Sequence, residues 1–170
     1  MGCSPSRNVS QYIEVIASKS PDYLCRSTEV KHSVGVLFDV KGFSDAVISL
    51  CGPQEMVDYE ATIGAFGNSR CLLRSTLDPE VVAHSNTPSL LNQTDYRQMW
   101  LTWRQCQLCL GDGPRAGLSK YELLSLPIAA VQSASGAAEA YRPFCLKVSC
   151  PTAGSRVCFR NPRLLFEGDI

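Results

Sequence analysis

The chain has no surplus of charge and no long hydrophobic run. Its 170 residues include 16 basic and 16 acidic side chains. Nucleic acid is bound through a basic surplus or stripe, so nucleic acid is not predicted as a partner. No run approaches the roughly 18 apolar residues needed to span a bilayer, and no basic start leads into the apolar segment of a secretory signal. Length and composition indicate one globular domain, with or without a tail.

The chain also lacks the pattern of a doubly wound enzyme that binds a nucleotide or S-adenosylmethionine. Such an enzyme needs a glycine-rich loop between a strand and a helix. The glycine pairs here, Gly64-x-x-Gly67 and Gly111-x-Gly113, lie between strands or beside a proline and are interpreted as turns. The sequence therefore predicts no catalytic residue and no cofactor.

A series of short strand patterns is present instead, separated by turn residues. Apolar side chains alternate with other residues along 34–41, 46–50, 59–63 and 99–103, which is the period of a half-buried strand. The residues predicted to point inward are Val36, Phe38, Ile48, Ile63 and Leu101. Close strand spacing without alternating helices predicts an all-β fold, an antiparallel, jelly-roll-like β-sandwich with a divergent C-terminal tail.

Changes of texture along the chain divide it into three parts. Residues 1–33 are predicted to be a flexible leader with a first strand at 12–17, and residues 34–113 are the sandwich module. Residues 114–170 are a divergent tail with closing strands near 144–149 and 156–160. A short helix is predicted at 119–126, because Ser119 and Glu122 have the spacing of a capping box.

Residues about 34–111 resemble the farnesoic acid O-methyltransferase-like domain. The motifs that carry the resemblance are, in chain order, Phe38-Asp39-Val40, the Asp-Ala-x-Ile-x-Leu strand at 45–50, Tyr59-Glu60 with Ile63-Gly64, Gly67-Asn68-Ser69 with Arg74, and Trp100 and Trp103 followed by Gly111. After Gly113 the chain departs from the family pattern, which continues with a closing strand that contains tryptophan. The resemblance implies a non-catalytic binding or interaction module for a carbohydrate or a protein. The family name implies the alternative, a methyltransferase that acts on a small isoprenoid carboxylic acid.

Four residues of the matching block are candidates for ligand binding. Glu60, Asn68 and Arg74 are polar side chains at motif positions, although Asn68 also suits a turn and Glu60 the solvent face of its strand. Trp100 and Trp103 lie three residues apart on one strand and point to opposite faces. Trp103 is the candidate aromatic platform, and the alternative is that both rings are buried.

Nine cysteines are an unusually high number for this length. In a secreted chain they indicate disulfides, and in a cytosolic chain they are reduced core residues. The spacing Cys106-x-x-Cys109 also occurs in redox pairs and zinc sites, but a redox pair needs a helix N-terminus and a zinc site two further ligands. Structural thiols or disulfides are therefore favoured, and no metal site is predicted.

The first six residues fit the pattern for N-myristoylation of Gly2, with Cys3 placed for palmitoylation. Two acyl chains anchor a protein stably where one does not. If Met1 is the native start, the chain is expected at the cytoplasmic face of a membrane. The alternative is an extracellular fragment of a secreted protein, which the sequons at Asn8 and Asn92 fit. Acylation and secretion exclude each other.

Overall fold

A computed structural model describes residues 12–16, 21–129, 131–132, 136 and 138–170. Its strands are β1 (Tyr12–Ile16), β2 (Asp22–Cys25), β3 (Gly35–Gly42), β4 (Ala46–Cys51), β5 (Val57–Gly64), β6 (Arg70–Ser75), β7 (Val82–Asn86), β8 (Arg97–Arg104), β9 (Gln107–Asp112), β10 (Glu122–Pro127), β11 (Val131–Gln132), β12 (Ala138–Glu139), β13 (Cys145–Ser149) and β14 (Arg156–Leu165). One α-helical turn, α1 (Ala65–Asn68), joins β5 to β6. Short 3-10 turns occur at Val30–His32, Pro53–Glu55 and Ser119–Tyr121.

The strands form two six-stranded sheets and a separate two-stranded ribbon. Sheet A has the order β1-β14-β3-β8-β9-β10, and sheet B has the order β2-β13-β4-β5-β6-β7. All strand pairs are antiparallel. One continuous cluster of buried side chains from both sheets fills the space between them. The predicted antiparallel β-sandwich is therefore confirmed.

The side chains predicted to point inward lie in this cluster. Val36, Phe38, Ile48, Ile63 and Leu101 are all buried. Each belongs to a strand in which alternate residues face the opposite sheet, so the period of two in the sequence is the period of the fold. Burying a side chain of this size contributes about 1.5–3 kcal/mol each.

Both sheets extend beyond the predicted module of residues 34–113. Strand β14 lies between β1 and β3, and β13 lies between β2 and β4, so strands from the predicted leader and tail complete both layers. Val157 and Phe159 of β14 alternate into the core and are fully buried. The tail strands cover the edges of β3 and β4, which would otherwise expose unpaired backbone groups.

The prediction of a helix at 119–126 is wrong. The structure has the 3-10 turn Ser119–Tyr121 followed by strand β10. Leu124 and Leu126 are both buried, so a period of two outweighs the capping-box spacing. Between β6 and β8 lies the edge strand β7, whose residues alternate between exposed and half-buried.

Gly2, Cys3 and Asn8 lie outside the described residues, so acylation of the N-terminus stays a prediction. Across the described ranges, no helix is long and apolar enough to cross a membrane.

Candidate functional site

Trp103 lies in the core and not on a surface. Its side chain is 2% exposed, and its indole Nε1 donates a hydrogen bond to the carbonyl oxygen of Ser33 at 3.0 Å. Trp100 points to the opposite face of sheet A, as expected for a residue three positions away, and it too is fully buried. Neither ring is open to a ligand, so the alternative in which both tryptophans are buried describes the structure.

Glu60 and Arg74 form a fixed ion pair on the outer face of sheet B. They are directly opposed on β5 and β6. Arg74 Nε donates to Glu60 Oε2 at 2.6 Å, and the Ser49 hydroxyl lies 3.5 Å from Glu60 Oε1. The Glu60 side chain is 16% exposed and that of Arg74 is 57% exposed. A shielded acceptor therefore lies next to a guanidinium that still faces solvent.

Phe66, in the turn between β5 and β6, presents its ring to solvent beside this pair. Its side chain is 69% exposed, and its backbone angles are φ 52° and ψ 55°. This left-handed conformation costs about 1–2 kcal/mol in a residue with a Cβ atom and is rare in bulky residues. The Arg70 guanidinium lies 5.8 Å from the ring centroid. The chain thus holds an exposed aromatic ring at a local cost in stability.

Asn68 has a positioning role in the same turn. Its side-chain Nδ2 donates to the Leu91 carbonyl at 2.8 Å, and its Oδ1 accepts from the Leu91 amide at 2.9 Å. Both polar atoms of the amide are therefore used by the protein. Gly64, at φ 70°, starts the turn where an added Cβ would lie 2.7 Å from a Leu91 methyl group. The turn is therefore held against Leu91 by the two hydrogen bonds of Asn68 and by the close approach of Gly64.

A shallow groove of about 280 Å³ unites these features on the outer face of sheet B. We call it the β5–β6 groove, and its principal lining residues are Val47, Glu60, Thr62, Phe66, Leu72 and Arg74. The structure thus brings together two of the four candidate residues, Glu60 and Arg74. Asn68 supports the turn beside them, and Trp103 is remote in the core. Phe66 was missed by sequence reasoning; the available signal was an aromatic residue inside the glycine-rich turn 64–68.

A second concavity of about 600 Å³ lies on the outer face of sheet A. We call it the β1–β14 groove, and its principal lining residues are Tyr12, Glu14, Lys41, Phe43, Arg156 and Cys158. The Tyr12 hydroxyl lies 3.3 Å from Cys158 Sγ, and this hydrogen bond raises the pKa of Tyr12 to about 12. Arg156 pairs with Glu14 at 3.4 Å. Lys41 Nζ lies 4.7 Å from the centroid of the Tyr96 ring, so the groove also holds a basic side chain outside the Glu14–Arg156 pair.

The cysteine and glycine motifs have structural positions. Cys106 is exposed in the turn between β8 and β9, whereas Cys109 is half-buried on β9. Within the part of the chain that the structure describes, no group of three His, Cys, Asp or Glu side chains could hold a metal ion. Gly64-x-x-Gly67 joins two strands, and Gly111 packs beneath the ring of Trp100.

These observations define an all-β sandwich domain with open polar and aromatic grooves on its outer faces. A model of the farnesoic acid O-methyltransferase family matches residues 18–125, which is more than half of the chain. The chain therefore belongs to this family. No curated protein matches it.

Several solved structures resemble the chain in shape. Galectin LEC-6 of Caenorhabditis elegans is 9% identical with a TM-score of 0.49, over 95% of this chain and 99% of that one. A single mutant of congerin II is 14% identical with a TM-score of 0.46, over 91% and 99%. CG-16, a homodimeric agglutinin from chicken liver, is 9% identical with a TM-score of 0.38, over 91% and 96%. All three scores are below 0.5, and nothing about a ligand follows from them.

Proposed function

We propose that this domain is a non-catalytic binding module that takes a saccharide in the β5–β6 groove. The observation that carries the proposal is Phe66, an exposed ring held in a strained backbone conformation beside a fixed ion pair. Strain of this kind persists where the surrounding structure enforces it, and it clusters at binding and active sites. An exposed aromatic ring also forgoes the stabilisation that burial would give.

The polar groups of the groove suit the hydroxyl groups of a sugar. Glu60 supplies an acceptor whose position is fixed by Arg74 and Ser49. Arg74, more than half exposed, supplies donors that the protein does not fully use. A sugar ring has an apolar face that can pack on Phe66 while its hydroxyl groups exchange hydrogen bonds with the pair. Preorganised side chains lower the entropic cost of such binding.

The test is binding of the purified chain to a panel of immobilised saccharides, followed by titration of any positive ligand. Phe66→Ala is expected to weaken binding at least tenfold. Phe43→Ala is the matched control, because Phe43 is a similarly exposed phenylalanine at 55%, but it lines the β1–β14 groove. Loss of binding in the control alone would move the site to sheet A. Absence of saccharide binding by the wild-type chain would contradict the proposal.

Arg74→Lys separates recognition by shape from recognition by charge. Lysine keeps the positive charge but cannot contact Glu60 and a ligand with the same planar group. We expect this variant to lose most of its saccharide affinity while its melting temperature stays close to that of the wild type, because exposed ion pairs contribute little to stability. A protein ligand bound by wild type and lost in Phe66→Ala, without any saccharide response, would replace the saccharide by a protein partner at the same groove.

The family name also implies an alternative function, that of a methyltransferase. Binding of S-adenosylmethionine tests this alternative directly. Calorimetric titration of the chain with this compound is expected to give no binding heat, because the glycines of 64–67 form a strand-to-strand turn. One-to-one binding at micromolar concentration would favour the enzyme.

For a chain whose native start is Met1, the N-terminal hexapeptide supports a separate proposal about location, which is acylation of Gly2 and Cys3. A single myristoyl chain binds membranes only at about 10⁴ M⁻¹, so stable residence should need both groups. Gly2→Ala is expected to move the chain from membranes to the soluble fraction, and Cys3→Ser is expected to leave weak, reversible binding. Equal fractionation of wild type and Gly2→Ala would favour the secreted alternative.

A further inference from the structure

Two cysteines face each other where sheet B is completed by a strand of the C-terminal tail. Cys51 is the last residue of β4, Cys145 is the first residue of β13, and the strand register pairs them directly. Directly opposed residues of antiparallel strands have Cα atoms about 4.5–5.5 Å apart, with side chains on the same face. A disulfide needs a Cα separation of about 4.4–6.8 Å. The backbone therefore already has the spacing that a bond requires.

This cysteine pair also differs from the other cysteines on the described strands. Both thiols are buried, and the Cys51 thiol lies 3.9 Å from the Ser49 carbonyl oxygen, to which it donates. Other cysteines on strands have different partners: Cys71 opposes Ser85, Cys109 opposes Thr102, and Cys158 opposes Lys41. Among the strand registers of the described residues, Cys51 and Cys145 are the one cysteine–cysteine pair.

We propose that Cys51 and Cys145 form a disulfide when the chain folds in the presence of a small disulfide oxidant such as oxidised glutathione. In the net reaction the two cysteine S–H bonds and the S–S bond of the oxidant break. One S–S bond forms between Cys51 and Cys145, two electrons and two protons pass to the oxidant, and two glutathione thiols leave. No other reactant is needed.

The bond should form during folding and not afterwards. Exchange requires a thiolate, and burial raises the pKa of the Cys51 thiol to about 12 and also raises the pKa of Cys145. Once β13 has docked, neither group ionises readily or meets an oxidant. Folded, reduced protein should therefore oxidise at this pair far more slowly than protein that refolds with oxidant present.

The disulfide would link the C-terminal tail covalently to the part of the chain that matches the family model. It joins β4 to β13, two neighbours in sheet B that are far apart in the chain. Cross-links that close long loops restrict the unfolded chain most. Its expected consequence is that β13 stays paired with β4 at temperatures where the reduced chain has lost this pairing.

The experiment is refolding of the reduced chain in a glutathione redox buffer, followed by alkylation, trypsin digestion without reduction and mass spectrometry. Cleavage after Lys41 and Arg70 releases Cys51 as the one cysteine of residues 42–70. Cleavage after Lys120 and Lys147 releases Cys145 as the one cysteine of residues 121–147, since the bond before Pro143 resists trypsin. The expected product is these two peptides joined, at their summed mass less two hydrogens.

Thermal melting supplies the second readout. Oxidised wild type is expected to melt about 5–10 °C above the reduced chain. The double variant Cys51→Ala/Cys145→Ala should abolish this difference, whereas Cys71→Ala, another buried thiol, should preserve it. Recovery of both peptides separately with alkylated cysteines, or either peptide joined to a different cysteine, would overturn the assignment. Neither result depends on whether the β5–β6 groove binds a saccharide.

Discussion

Trp100 and Phe66 lie on the two outer faces of the sandwich and have opposite surroundings. Trp100, on sheet A, is fully buried with Leu37 and Leu165 beneath a cover that includes Tyr121 and Ile170. Phe66, beside sheet B, is 69% exposed. The chain covers one outer-face aromatic with its own later segments and leaves the other in water. The covered ring serves stability, whereas the exposed ring serves binding in our proposal.

Removing the covered ring should have the largest effect. Trp100→Ala is expected to lower the free energy of unfolding by about 3–5 kcal/mol, because it leaves a large cavity beneath the cover. Phe66→Ala should change the same quantity by less than about 0.5 kcal/mol, since its ring contacts little. Urea denaturation measures both. Equal losses in the two variants would remove the distinction between the faces.

Trp100→Phe sharpens this first test. The buried Nε1 of Trp100 has no hydrogen-bond partner within the described structure. Phenylalanine removes this unsatisfied donor, which costs about 1–3 kcal/mol, and still fills part of the space. The loss of stability should therefore be clearly smaller than in Trp100→Ala. A loss as large as that of alanine would show that neither the partly filled space nor the removal of the unpaired donor recovers stability.

Gly111→Ala tests the contact beneath the covered ring. An added Cβ would lie 2.0 Å from the six-membered ring of Trp100, so the ring or the strand must move. Overpacking of this kind costs about 1–3 kcal/mol. Gly154→Ala is not a fair comparison, because its φ of 78° strains any side chain. Gly168→Ala is the better control, since nothing lies within 4 Å of its added Cβ. Unchanged stability in Gly111→Ala would show that the ring shifts freely.

Phe66→Asn should raise the free energy of unfolding, whereas the variants of Trp100 and Gly111 should lower it. Asparagine tolerates the left-handed conformation, so this variant is expected to gain about 0.5–1 kcal/mol in stability. It should also lose the saccharide response, because the ring is gone. Phe66→Ala keeps the backbone strain and loses the ring, so it separates the two effects. A destabilised Phe66→Asn would mean that the exposed ring supports the fold after all.

The same two residues indicate how much the sequence could predict. Alternation placed Val36, Ile63 and Leu101 in the core, since each pattern is local and strong. The cover over Trp100 includes Ala116, Tyr121 and Ile170, which come from segments well separated from Trp100 along the chain, so local patterns could not reveal it. Glu60 and Arg74 came from motif positions, and their opposition follows from strand register. The exposure of Phe66 depends on backbone angles that a turn motif leaves open.

The smallest expected effect concerns the polar contacts of Glu55 with strands β2 and β13 of sheet B. These contacts contrast with the apolar cover of sheet A. Glu55 accepts a hydrogen bond from the Tyr23 hydroxyl and pairs with Lys147 at 3.1 Å. The hydrogen bond from Tyr23, followed by that from Lys147, lowers the pKa of Glu55 below its ordinary value of 4.5. A carboxyl group with a lowered pKa in the folded state stabilises the fold above the unfolded pKa, and this contribution is lost as pH falls through the folded pKa.

Glu55→Gln should therefore reduce the melting temperature slightly near about pH 7, and the difference from wild type should shrink towards about pH 3. Trp100→Phe is the uncharged control, and its deficit should stay nearly constant over the same range. A Glu55→Gln deficit that is equally constant would mean that the side chain acts through packing and not through its charge. The Glu55 deficit should also fall with added salt, because the Glu55 carboxylate is partly exposed and its interaction with Arg26 at 3.4 Å is screened.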